Sequence, residues 1–215
     1  MTGGPHVLVM AKAPVPGRVK TRLCPPCTPQ EAAALAEAAL ADTLEAVAGS
    51  GAGRRVLALD GAPGPWLPKG FTVVPQATGG LDRRLAAAWT AVGGPGVQIG
   101  MDTPQVTAAL LDDALAALDI APAALGPAVD GGWWAIALRR ADPQAFLGVP
   151  MSTDATGAAQ HARLRGLGLD VAPLPTLVDL DTVADLPAVT AGGAAIRTAD
   201  LARRLGVLPL PATAP

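Results

Sequence analysis

The sequence predicts an α/β protein, a three-layer Rossmann-like domain with a mostly parallel, mixed central sheet and helices on both faces. Three observations carry this. Short apolar runs without polar alternation, such as residues 6–10 and 97–101, suit buried parallel strands. Stretches with helical spacing separate successive runs. Polar and charged residues gather just after the runs, where a doubly wound sheet binds its ligand. The chain has 215 residues, half of them apolar, enough for one substantial core. One domain is expected over residues 1–207, with a Pro-rich tail at 208–215.

The first strand, 6–10, is followed by a Gly/Pro-rich loop over 11–27. Thr28-Pro29-Gln30-Glu31 supplies an N-cap, a proline at the first helical position and the glutamate of a capping box, opening a helix to about residue 48. Strands follow at 55–60 and 71–74, then a helix at 80–92 with Leu81, Leu85, Ala88 and Trp89 on one face. The strand at 97–101 ends at Asp102-Thr103-Pro104 and leads to a helix at 106–118. Residues 123–129 and 133–138 read as two strands around the turn Asp130-Gly131-Gly132, so the sheet becomes mixed there. A helix at 156–167, a strand at 171–174, a short helix at 183–190 and a last helix at 198–205 complete the pattern.

The net charge is −2, so no global field recruits nucleic acid or an anionic membrane. No apolar run approaches the length of a spanning helix, and the N-terminus lacks a basic start with an apolar core, so a soluble, cytoplasmic protein is expected. Charge is uneven along the chain. Residues 1–30 hold no acid but carry Lys12, Arg18, Lys20 and Arg22. Cys24-Pro25-Pro26-Cys27 has the spacing of a redox pair, although two incidental thiols in a loop are the favoured reading. Histidines occur only at His6 and His161, which leaves zinc without enough ligands.

Three strand ends carry candidate chemistry. After the first strand, Ala11, Lys12, Pro16, Gly17, Arg18, Lys20, Thr21 and Arg22 form a shaped, cationic loop suited to phosphate. It is not a Walker A loop, because Val19 precedes Lys20. After the fourth strand, Asp102 is a magnesium (or manganese) ligand or, alternatively, the N-cap of the helix that follows, and Thr103 stands beside it. Asp130 before Gly131 and Gly132 is a turn residue or an acceptor-site residue, with Ser152 and Thr153 as further acceptor candidates. Asp179 and Asp181 share one side of an extended segment, one read as a helix cap and the other as a second metal ligand. Gln76, Gly80 and Arg84 follow the third strand, where a helix N-terminus attracts anions. Trp89, Trp133 and Trp134 read as packing residues rather than a stacking platform.

In its ordered motifs the chain resembles the DUF2064 family, relatives of nucleotide-diphospho-sugar transferases with the GT-A fold. The resemblance rests on Ala11-Lys12-Ala13-Pro14-Val15-Pro16-Gly17-Arg18-Val19-Lys20-Thr21-Arg22-Leu23, Gly100-Met101-Asp102-Thr103-Pro104, Gly126-Pro127-Ala128-Val129-Asp130-Gly131-Gly132, Ser152-Thr153 and Asp179-Leu180-Asp181-Thr182. More distantly it is similar to guanylyltransferases of the F420 and molybdenum-cofactor pathways, which implies NTP phosphates on the N-terminal loop and magnesium on Asp102. It departs from the family pattern at Asp82, at Trp133-Trp134 and at Val183-Ala184.

These readings converge on a nucleotide-dependent transferase. The expected reaction is nucleotidyl transfer from an NTP to a phosphorylated small molecule, with Lys20, Arg22 and Asp102 as catalytic residues. Glycosyl transfer from a nucleotide sugar, with Asp130 activating an acceptor hydroxyl, is the alternative, and a non-catalytic nucleotide-binding or redox-sensing protein is a third.

Overall fold

The computed structural model describes residues 4–209, so positions 210–215 of the expected tail lie outside the described residues. Seven strands form one sheet: β1 (His6–Lys12), β2 (Arg54–Asp60), β3 (Thr72–Pro75), β4 (Gly96–Ile99), β5 (Ala123–Pro127), β6 (Trp133–Leu138) and β7 (Val171–Pro173). Among the described residues six α-helices accompany them: α1 (Pro29–Gly49), α2 (Leu81–Val92), α3 (Ala108–Ile120), α4 (Thr156–Gly166), α5 (Leu186–Thr190) and α6 (Ile196–Arg204). The strand order is β3-β2-β1-β4-β6-β5-β7. Only β6 runs antiparallel to its neighbours β4 and β5, so the sheet is mixed and mostly parallel, as expected.

The side-chain alternation of β1 explains the three layers. Val7, Val9 and Ala11 face α1 and α3, while Leu8 and Met10 face α2 and α4. A strand covered on both faces has no polar side to alternate with, which is why its sequence reads as an unbroken apolar run. Helix α1 is buried on two sides. Leu40, Leu44 and Val47 lie on the sheet, and Leu35 and Ala39 meet Leu186, Val189, Ala199 and Ala202 of α5 and α6. The buried Asp42 carboxylate fixes this outer layer by accepting from the backbone N–H groups of Arg197 and Thr198 at 3.1 and 2.9 Å and from the Thr198 hydroxyl at 2.8 Å.

The α1 capping box forms as expected: the Thr28 hydroxyl accepts from Glu31 N–H, and the Glu31 carboxylate accepts from Thr28 N–H at 2.7 Å. Elsewhere the ends move. β1 runs two residues beyond Met10, because it pairs on both sides with β2 and β4. β4 stops at Ile99, before Gly100, and β5 stops at Pro127. α3 begins at Ala108, and its N-cap is Thr107, whose hydroxyl accepts from Leu110 N–H at 3.1 Å. Asp102 therefore does not cap it. The last helix starts at Ile196, two residues before the expected 198, because Asp42 caps it from α1.

Candidate functional site

Strand order turns at β1 and β4, with β2 and β3 on one side and β6, β5 and β7 on the other. At that turn the C-terminal strand ends flank a cavity of about 740 Å³. Because β6 is antiparallel, its first residue, Trp133, reaches the same edge and lines the same cavity.

One wall is cationic. After β1 the chain folds back through Arg18 N–H donating to Val15 carbonyl at 3.0 Å, with Gly17 at φ 74° making the turn. Buried Val19 plugs this loop onto the core, which leaves Lys12 and Arg18 exposed on the cavity wall. Among the described residues neither has a carboxylate within ion-pair distance. Gln76 braces the wall from below: its amide donates to the carbonyls of Ala11 and Ala58 at 2.8 and 2.9 Å, so its oxygen faces Arg84 and accepts at 3.0 Å. Asp60 lies 3.8 Å from the same guanidinium.

The opposite wall is acidic and is assembled by residues 177–181. This extended segment hydrogen-bonds on both sides: Leu177 N–H donates to Pro127 carbonyl at 3.1 Å, Val129 N–H to Leu177 carbonyl at 3.0 Å, and Leu180 N–H to Asp102 carbonyl at 2.8 Å. Gln105 adds a side-chain bond to Val178 carbonyl at 2.6 Å. Asp102, Asp130, Asp179 and Asp181 thereby line one cavity. Burial, followed by the charges of Asp102 and Asp130, pushes the Asp179 carboxyl up to about 7.

Lys20 joins the two walls. Its side chain is 7% exposed, and its ammonium donates to Leu180 carbonyl, contacts Asp102 and lies 3.4 Å from Asp181. Burial pulls its pKa down, but the carboxylates of Asp102, Asp181 and Asp179 outweigh burial and hold it above the ordinary lysine value. Exposed Arg22 reaches Asp181 at 3.1 Å. Instead of facing open space, as the loop motif implies, Lys20 already has a full set of acceptors.

Of the residues singled out in the sequence, Ala11, Lys12, Arg18, Lys20, Thr21, Arg22, Gln76, Arg84, Asp102, Asp130, Gly132, Ser152, Thr153, Asp179 and Asp181 all line the cavity. Pro16, Gly17, Gly80, Thr103 and Gly131 do not. Gly80 is the N-cap of α2, Thr103 is buried, and Gly131 sits at φ 89° where a Cβ would collide with the Asp154 carbonyl, so only glycine fits there. Asp130 is both turn and wall, since its carboxylate accepts from Gly132 N–H at 2.8 Å. Neither Asp179 nor Asp181 is a helix cap. That role falls to Thr182, with Asp185 accepting from Thr182 N–H at 2.7 Å.

Trp89 and Trp134 pack as expected, the latter donating to Pro175 carbonyl at 2.8 Å, but half-buried Trp133 also forms cavity wall. Met10, Leu81, Met151 and Asp154 are further wall residues that the sequence reading missed; proximity to a strand end was the available signal for the first two. Asp82, a departure from the family pattern, ties α2 to the loop before α4 by accepting from Gly148 N–H at 3.1 Å. Cys24 and Cys27 are free thiols, and burial, then Glu31, push the Cys27 thiol up, which is the reverse of an activated thiolate.

Carboxylates are the donors a hard divalent cation takes. Asp179 is lifted first by burial and then by Asp102 and Asp130, with Lys20 opposing. Yet among the described residues no three metal-ligating side chains close around one point. The donor chemistry thus fits an ion, while Lys20 stands between the donors. Among the described residues no helix is long and apolar enough to cross a membrane.

The sequence matches the DUF2064 family, described as an uncharacterized protein conserved in bacteria, over residues 31–153. No curated protein matches it. Among solved structures, a candidate nucleotide-diphospho-sugar transferase from Desulfovibrio desulfuricans G20 aligns with a TM-score of 0.78 at 24% identity, over 95% of this chain and 98% of its own. CMP:2-keto-3-deoxy-manno-octonic acid synthetase, solved with CTP, aligns at 0.56 and 14% identity, over 88% and 98%. Rv0371c from Mycobacterium tuberculosis H37Rv aligns at 0.53 and 20% identity, over 95% and 98%. These likenesses establish a shared α/β fold.

Proposed function

The chain belongs to the DUF2064 family, and from that premise we propose that it is a nucleotide-dependent transferase moving a nucleotidyl group from a nucleoside triphosphate to a phosphorylated small molecule. The observation that carries this reading is the division of the cavity into a wall with unpaired Lys12 and Arg18 and a wall with four carboxylates. A polyphosphate matches the first wall, and the cation that accompanies it matches the second. The synthetase solved with CTP shares the fold and adds to the plausibility of a nucleotide ligand.

In this reading Lys12, Arg18, Lys20 and Arg22 hold the phosphates and offset their charge. Gln76 fixes the Arg84 guanidinium on the same side of the pocket, and Trp133 offers a ring face. An acceptor phosphate oxygen attacks the α-phosphorus, forming one P–O bond as the bond to the bridging oxygen breaks and pyrophosphate leaves. No general base is required, because a phosphate monoester with a second pKa of about 6 is largely dianionic at neutral pH. Magnesium or manganese, when bound by Asp102 with Asp179 and Asp181, would neutralise charge developing on the phosphate oxygens. The residues' own part is positioning and preorganised charge.

One observation favours a second reading, glycosyl transfer. Asp130 is an exposed carboxylate on the wall without a cationic partner among the described residues, which suits a base for an acceptor hydroxyl. Against it, the segment after β4 carries a single acid, Asp102, where a pair would suit a nucleotide-sugar metal site.

A melting-temperature panel of the four NTPs and common nucleotide sugars, with and without magnesium, tests the reading. Magnesium-dependent stabilisation by one NTP, with pyrophosphate released on adding phosphorylated acceptors, is expected. Stabilisation by a nucleotide sugar above its parent NTP would replace the reading with glycosyl transfer, and no stabilisation by any nucleotide would sink both.

A further inference from the structure

We infer that Lys20 is a place-holding cation: its ammonium and a divalent metal compete for Asp102 and Asp181, so that the metal is admitted only as Lys20 leaves for the nucleotide's phosphates. The inference rests on the nucleotide-transfer reading and adds an order of events to it.

The geometry makes the ammonium unusual for a phosphate-loop lysine. It is buried, and its acceptors are a backbone carbonyl and two carboxylates drawn from two separate places in the chain, Asp102 after β4 and the adjacent pair Leu180 and Asp181. Each acceptor is an oxygen, the donor type a hard cation also takes. The ammonium therefore has the charge sign and the ligands of the ion expected there, without being one.

One further observation bears on exchange: the ammonium lines the cavity whose other wall holds Lys12 and Arg18, which among the described residues have no carboxylate within ion-pair distance. A polyphosphate drawn to those two cations offers Lys20 a second set of oxygen acceptors. When Lys20 swings to them, Asp102 loses its ion-pair partner and Asp181 keeps only exposed Arg22, beside Asp179 and Asp130, and a free divalent cation is what that wall can then attract.

The prediction is counter-intuitive for a residue in a binding site: removing Lys20 improves metal binding. Mn²⁺ alone, without nucleotide, is titrated into the full chain and free Mn²⁺ is followed by electron paramagnetic resonance. Lys20→Met is expected to bind Mn²⁺ at least about tenfold more tightly than the wild type. Arg22→Met removes the same unit of charge beside Asp181 but leaves the Asp102 contact in place, and it is expected to gain much less. Adding Asp102→Asn to Lys20→Met should abolish the gain. Lys20→Gln, which keeps a donor for Leu180 carbonyl, repeats the test if the methionine variant melts early.

Equal affinities in Lys20→Met and wild type, a loss in the variant, or a gain no larger than that of Arg22→Met would overturn the exchange while leaving metal-assisted transfer intact. Absence of Mn²⁺ binding in every variant, including those that fold, would overturn the exchange and the metal part of the proposed function together. An equal gain in Lys20→Met and Lys20→Gln over Arg22→Met would establish that position, and not net charge, decides.

Discussion

The two ends of the central sheet differ in how they treat polar groups. At the N-terminal end of β1, His6 is fully buried with its ring against Trp89 at a centroid distance of 5.0 Å, and Gly96 of the neighbouring strand presses on it so closely that a Cβ there would meet the ring and carbonyl at 2.5 Å. At the C-terminal end, six residues on, Lys12 is exposed on the wall of an open cavity shared with four carboxylates. One end is closed by packing and has nothing to exchange. The other is kept open by charges whose partners are incomplete, and that incompleteness is what makes it a candidate site.

Four measurements sharpen or break this contrast. The largest effect is expected from acid. Burial, then Arg54, lower the His6 pKa to about 4 from an ordinary 6.5, with the Pro95 carbonyl opposing. The unfolded chain therefore takes a proton first as pH falls, so the contribution is full above pH 6.5, is lost through the interval down to pH 4, and amounts to about 3 kcal/mol. Denaturant midpoints from pH 8 to 4, compared with His6→Gln, check it; an equal acid slope in the variant would place the sensitivity elsewhere. Next, Asp102→Ala should lower transfer by the folded molecules about 100-fold and should also lower the melting temperature, because it removes a counter-charge of the buried Lys20 ammonium; Asp102→Asn, which keeps an acceptor there, should lose transfer with a smaller fall in melting temperature. A collapse in stability with activity retained by the folded fraction would make the acidic wall structural.

Gly96→Ala should cost about 2 kcal/mol of stability by overpacking while leaving turnover of the folded enzyme unchanged. The smallest effect belongs to the cationic wall. Lys12→Ala and Arg18→Ala should each raise the KM for the nucleotide about tenfold with kcat nearly unchanged, since each offers one charged contact to a bound phosphate. A fall in kcat alone would mean that these side chains act on the transition state and not on binding.

The two walls were also unequally legible. The cationic loop is contiguous, so its composition alone announces an anion, and Gln76 and Arg84 follow from the rule that strand ends bear ligands. The mixed sheet and the α1 cap were readable for the same reason, because β6 and Thr28 carry local signals. Asp102, Asp130, Asp179 and Asp181 could each be named, but not how they meet, since residues 177–181 have no periodicity and their position is set by hydrogen bonds to Pro127, Val129 and Asp102. Trp133 was read as packing because a tryptophan in an apolar strand is usually core, although the turn at Asp130 already set the direction of β6 and with it the edge that Trp133 reaches. The burial of Lys20 was invisible for the opposite reason: a lysine in a basic loop reads as exposed unless the distant carboxylates are already in place.

The 177–181 segment supplies two of the acidic wall's carboxylates, a carbonyl for Lys20 and the bonds that hold Asp102 and the Asp130 turn in register. It is also synthesised after every other part of the cavity wall. Of the four carboxylates, only Asp179 and Asp181 belong to this late segment; Asp102 and Asp130 precede the end of β6. A chain ending before residue 177 would therefore carry the cationic loop with half of the facing carboxylates and without the Leu180 carbonyl that holds Lys20, so completion of the pocket is tied to docking of the C-terminal segment.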